Sequence, residues 1–218
     1  MAHELKKDKA FWEGRWAADH FSPKWAHRGI SPEIVDAVNT GWFSARAPVL
    51  DIGCGLGEIG AWFAKQGHAT VGFDISPTAV FRAKDMHAPL PPNLEFMALD
   101  ACHDPLPNRQ FRILIDRGCL HTIPPGQVGA YTRNIASVAS PGARMLLFIK
   151  AFRHGNALGD PRETEMHVDI ISNAYAGKFN VVRHAPTDLT GHAGAQPRRP
   201  LPGLVFWLEA PGGPSPAL

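Results

Sequence analysis

From residue 47 onward, short apolar runs alternate with amphipathic stretches. The runs "PVLDIG", "ATVGFDIS", "NLEFMALD", "FRILIDRGC", "ARMLLFIKAF", "FNVVRHA" and "GLVFWLEA" predict seven strands. Between them, "EIGAWFAKQG", "SPTAVFRAKDMH", "GQVGAYTRNIASVA" and "ETEMHVDIISNAYAG" predict helices. The first of these helices should stop at Gly67, and the second should start from Ser76 as cap with Pro77 in its first turn. Upstream, Asp8 is placed to cap a short helix carrying Phe11, Trp12 and Trp16. Ser31-Pro32-Glu33 opens a second helix. Strands alternating with helices imply an α/β fold, a doubly wound and mostly parallel seven-stranded sheet. No helix separates the final two strands, so they should form a hairpin and leave an antiparallel last strand.

Composition narrows the picture modestly. The 218 residues suit one α/β domain, and 44% hydrophobic with 19% charged is an ordinary soluble balance. A net charge of +2, with basic residues scattered, does not suggest nucleic acid or a membrane surface as partner. The start "MAHELKKDKAFWEGRW" lacks the apolar core of a signal peptide. Cys54, Cys102 and Cys119 show no CxxC spacing, so a reduced, cytoplasmic protein is expected. The expected division is a helical lid segment over 1–45, a cofactor-binding domain over 46–210 and a disordered tail over 211–218, "PGGPSPAL".

The stretch "VLDIGCGLGEIG" (49–60) carries the chemistry. A glycine-rich turn after the first strand of such a sheet lies where ligands bind. Asp74, ending the second strand, is spaced to receive a ribose diol, whose two hydroxyls can donate to one carboxylate. Two cofactors compete for this turn. Gly55, Gly57 and Gly60 formally match G-x-G-x-x-G, as in an NAD(P)-dependent oxidoreductase. However, Asp51 and Glu58 would repel a pyrophosphate. S-adenosylmethionine (SAM) has no phosphate and carries a sulfonium and an ammonium group, so acidic residues favour it.

The pattern D-I-G-C-G-L-G resembles the first motif of class I SAM-dependent methyltransferases. The resemblance implies their Rossmann-like fold, with Asp51, Gly53, Gly55 and Gly57 around the amino-acid end of SAM. It also implies Asp74 on the ribose hydroxyls and Ile75 packed on adenine. Asp100 and Ala101 would meet the adenine edge, and Asp116-Arg117-Gly118 would lie between cofactor and acceptor. No metal is expected, because Asp116 has no adjacent acidic partner.

"FWEGRWAADHFSPKW" and "DRGCLHTI" are similar to segments of small-molecule thiopurine and thiol methyltransferases. That likeness implies Trp12, Trp16 and Trp25 as a lid over the cofactor, and a small-molecule acceptor, a thiol in preference to oxygen or nitrogen. Alternatively the rings only staple the first helix onto the sheet. Asp116 and His121 are the candidate bases, and Cys119 reads as a small buried residue. Arg153, His154 and His167 could meet an acidic substrate, or be solvated. The segment "TDLTGHAGAQPRRPLPG" could act as a second lid. The sequence contains no G-x-S-x-G, G-K-[ST], NPPY or DPPY, which speaks against hydrolases, nucleotide triphosphatases and the amino-methylating enzymes of DNA, RNA and protein. A non-catalytic SAM-binding protein remains an alternative.

Overall fold

The computed structural model describes residues 8–18, 29–151, 160–190 and 201–212. Pro23, Trp25, Arg153, His154, residues 191–200 of the suggested second lid and tail residues 213–218 lie outside the described residues. The chain begins with α1 (Lys9–Ala17) and α2 (Pro32–Asn39), followed by β1 (Val49–Ile52), α3 (Glu58–Lys65), β2 (Thr70–Asp74), α4 (Pro77–Met86) and β3 (Leu94–Ala98). Then come β4 (Phe111–Arg117), two 3-10 turns (Leu120–Thr122 and Pro125–Gln127), α5 (Val128–Ser137), β5 (Ala139–Lys150), α6 (Pro161–Ala174), β6 (Asn180–Asp188) and β7 (Pro202–Glu209).

The seven strands form one sheet in the order β3-β2-β1-β4-β5-β7-β6. All pair in parallel except β7, which runs antiparallel between β5 and β6. Strand alternation sorts the apolar side chains onto two faces. Leu50, Leu114, Leu147 and Phe206 pack with Tyr131 and Ile135 of α5 and Ile171 of α6. Val49, Ile113, Phe148 and Trp207 pack with Ile34 of α2 and Phe63 of α3. Trp62 flanks that second cluster, as an ordinary packing residue.

The expected caps meet different fates. Asp8 accepts from the Phe11 N–H at 3.0 Å, and Ser76 accepts from the Ala79 N–H at 3.1 Å. Gly67 follows α3 with φ +87°, as a helix stop requires. Ser31 does not cap α2 with its side chain, because its hydroxyl accepts from Arg117 Nε at 2.9 Å. Two elements start earlier than expected. Asp160 caps α6 through the Arg162 and Glu163 N–H groups, so the helix opens at Pro161. β5 already pairs with β4 at Ala139, and a bulge then shifts its register to Arg144. Among the described residues, no helix is long and apolar enough to cross a membrane.

Candidate functional site

A cleft of about 640 Å³ opens over the carboxyl ends of the strands. Its floor is the turn between β1 and α3. Gly53, Gly55 and Gly57 all have left-handed φ (64°, 53° and 71°). Space reinforces the demand for glycine. A side-chain carbon at Gly57 would lie 2.3 Å from Phe96, and one at Gly53 would lie 2.9 Å from Cys119 Cβ. The turn therefore presents bare backbone to the cleft.

Two carboxylates hold this turn. Asp51 Oδ2 accepts from the Gly60 N–H at 2.9 Å, so a strand residue supplies the cap that Gly57 cannot give α3. Gly60 leaves room for this bond: a side-chain carbon there would sit 3.3 Å from Asp51 Oδ2. Asp74 accepts from the Gly55 N–H at 3.0 Å and from the Ser76 N–H at 2.9 Å. Both carboxyls are buried and both border the cleft. Burial pushes Asp51 up to about 7, against its bond from Gly60 and with the charges of Asp74 and Asp116 adding to the rise. Burial likewise pushes Asp74 up to about 6. Buried acids raised in this way favour a cationic ligand and disfavour a phosphate.

Ile75 and Ala101 also line the cleft, and so does Asp100. The Asp100 carboxylate accepts from the Cys102 N–H at 2.8 Å and pairs with His103 Nδ1 at 2.9 Å, while Asn134 anchors the Ala101 carbonyl at 3.0 Å.

Asp116 departs from expectation. It is fully buried and does not border the cleft. Its oxygens accept from the Cys119 N–H at 2.6 Å, the Leu120 N–H at 2.9 Å and the Tyr131 hydroxyl at 2.5 Å. The expectation that it serves as base or touches SAM is therefore corrected: it fixes the loop after β4, with burial pushing it up to about 6. That loop delivers Gly118, Cys119 and His121 to the cleft. His121 Nδ1 accepts from the Lys150 N–H at 3.3 Å, so the neutral ring carries its proton on Nε2. That tautomer leaves Nε2 as a donor. His167 lies on α6, where Nε2 bonds the Ala151 carbonyl at 2.5 Å, so it serves as a tie between α6 and the end of β5. Cys54 and Cys119 border the cleft as thiols that burial pushes up, which makes them inert.

Helix α1 forms another wall of the cleft. Trp12 and Trp16 border it, and the buried Trp16 ring comes within 3.2 Å of where a side chain on Gly55 would begin. Sequence reasoning missed what holds α1 there. Glu13 accepts from Ser76 Oγ at 2.5 Å, from the Thr78 N–H at 3.2 Å and from the Thr78 hydroxyl. These bonds hold the Glu13 carboxyl below its ordinary range. The only local signal was Ser76-Pro77-Thr78, a helix start with spare hydroxyls.

These residues fit SAM. Asp51, Gly53, Gly55 and Gly57 would hold its amino-acid end, Asp74 its ribose, and Ile75, Asp100 and Ala101 its adenine. Among the described residues no cluster could hold a metal ion.

Comparison with known proteins bears on the fold and the family. Residues 49–142 match the sequence family described as "Methyltransferase domain". The chain is 30% identical over 128 residues to a 2-heptyl-1-hydroxyquinolin-4(1H)-one methyltransferase of Mycobacteroides abscessus, covering 58% of this chain and 56% of that protein. It is 29% identical over 108 residues to an uncharacterized methyltransferase of Schizosaccharomyces pombe, covering 50% of this chain and 73% of that one. The fold is similar to that of a SAM-dependent methyltransferase from Methanosarcina mazei, with TM-score 0.65, 17% identity and coverage of 84% and 99%. It is also similar to the N-methyltransferase NodS of Bradyrhizobium japonicum solved with S-adenosylhomocysteine (SAH), with TM-score 0.64, 14% identity and coverage of 91% and 96%. Residues 49–142 are thus similar to the methyltransferase domain family, and the seven-stranded sheet has the fold of solved SAM-dependent methyltransferases.

Proposed function

We propose that this protein transfers a methyl group from SAM to a small-molecule acceptor, with a thiol as the preferred acceptor. One observation carries the cofactor assignment. Asp51 and Asp74, raised by burial, lie under a turn of bare backbone, with Glu58 beside them on the cleft. That arrangement suits a sulfonium and an ammonium group and opposes the pyrophosphate of NAD(P).

SAM supplies an electrophilic methyl group on a positively charged sulfur. The chain's own part is positioning and exclusion of water. Asp74 and the glycine turn fix one end of the cleft, the loop anchored by Asp116 shapes the other, and α1 covers the floor. In domain terms, residues 1–45 act as lid and residues 46–210 as catalytic body. Sulfur as acceptor rests on the likeness of "FWEGRW" and "DRGCLHTI" to thiol methyltransferases. A hydroxyl is the second reading, favoured by the named substrate of the Mycobacteroides relative, a hydroxyquinolone.

Calorimetric titration with SAH, NAD and NADP tests the assignment. Micromolar binding of SAH alone is the expected result. Binding of NAD or NADP would overturn it, and SAH binding without turnover of any thiol, phenol or amine would leave a SAM-binding protein without catalysis.

A further inference from the structure

The cleft is divided by charge. The strand order sets Asp100, Asp74 and Asp51 at the ends of β3, β2 and β1, on one half. The ends of β4 and β5 carry Arg117, His121 and Lys150 on the other half. Neighbouring strands lie about 4.8 Å apart, so the centres of the two groups lie roughly 12 Å apart, and their edges meet at the adjacent β1 and β4. Asp116, also at the end of β4, lies below the loop and off the cleft. Glu58 and His103 border the cleft on the acidic half, where His103 pairs with Asp100. Lys9 and Arg15 border it from α1, with Lys9 beside Glu13.

The basic half is otherwise apolar. Ile123, Pro124, Leu189 and Leu201 wall it. Arg117 is mostly buried there, held by Ser31 Oγ at 2.9 Å and the Leu189 carbonyl at 3.1 Å. The charges of Glu33 and Asp188 act on Arg117 and offset part of its charge, so it serves mainly as a fixed donor. Lys150 adds a side-chain ammonium at the rim, and its backbone N–H sets His121 as a donor through Nε2.

We infer that this half of the cleft receives the acceptor as an anion: an ionised thiol or acidic hydroxyl on a flat apolar body. The inference rests on the methyltransferase reading above and deepens it. An acceptor that gives its proton to solvent before binding needs no base in the site. This accounts for a cleft in which Asp116 is turned away and His121 is set as a donor. Lys150 and His121 are then specificity-determining residues, selecting the ionised acceptor over its neutral shape.

The test uses the protein saturated with SAH and 4-nitrothiophenol as probe, whose anion is read by its visible absorbance, beside the neutral 4-nitrotoluene. The wild type is expected to bind the anion at least about tenfold more tightly than 4-nitrotoluene. The bound probe should stay ionised to about one pH unit below the free probe. Lys150→Met and His121→Phe should each cut that preference by about threefold or more, with SAH affinity within about twofold of wild type. Equal binding of both probes, binding of neither, or full preference in both variants overturns the inference. A wild-type protein that binds no SAH overturns the cofactor reading instead, and that result is read before any probe is added.

Discussion

Asp74 and Asp116 are both buried acids at strand ends, yet the structure gives them opposite tasks. Asp74 lines the cleft and still holds the Gly55 and Ser76 amides. Asp116 spends its oxygens on the loop amides and the Tyr131 hydroxyl. The two are separable by experiment. Asp74→Ala should weaken SAH by about 1.5–3 kcal/mol, the range for a hydrogen bond to a charged group. Tyr131→Phe should instead lower unfolding stability by about 1.5–3 kcal/mol, since it strips a bond from a buried carboxyl, and leave SAH affinity within about threefold. Denaturant melts and calorimetry on both variants check this. A Tyr131→Phe protein of full stability, or an Asp74→Ala protein that binds SAH normally, contradicts the division. The sequence showed both acids at the ends of their strands. It did not show that Asp116 faces α5, because a side chain's burial there depends on which helix packs over the strand end.

At the scale of elements, α1 packs on α4 and borders the cleft. Trp16 is its only buried residue, and the Glu13 carboxylate ties it to the N-terminus of α4. A carboxylate there satisfies the Thr78 amide and meets the positive end of the helix dipole. Glu13→Ala should therefore free α1, with a loss on the order of 1 kcal/mol, as for a helix cap. Hydrogen exchange of the α1 amides should quicken, and SAH should leave faster. Unchanged exchange in α1 would show that Trp16 alone seats the helix. The strands, the glycine turn and the caps at Asp8 and Ser76 were legible because each is written within a few residues. The Glu13 bonds span 63 and 65 positions, and no local pattern encodes them. The same holds for β7 lying between β5 and β6, where the hairpin was readable and its place in the sheet was not.

The whole molecule carries an excess of buried acid under its cleft, and this couples stability, ligand and pH. Asp51, Asp74 and Asp116 sit at about 7, 6 and 6, all raised from an ordinary 3.8. A carboxyl raised on folding favours the protonated native state. Its contribution to stability is fully present below pH 3.8 and is lost as pH rises through the folded value. The ligand-free protein should therefore lose stability between about pH 4 and pH 7, as these three groups are forced to ionise. A cationic ligand works in the opposite direction, since it binds the ionised carboxylates and expels their protons. SAM affinity should rise roughly tenfold from pH 5.5 to pH 8 and then level off. SAH, which lacks the sulfonium charge, should show a shallower rise. Calorimetry in two buffers of different ionisation enthalpy counts the protons released, and thermal melts with and without SAM should diverge more at pH 8 than at pH 5.5. Asp51→Asn removes the group with the highest value and should flatten the SAM curve between pH 6 and 8. If SAM binds equally at both ends of this range with no proton release, the buried acids serve the fold alone and the electrostatic case for a sulfonium ligand falls.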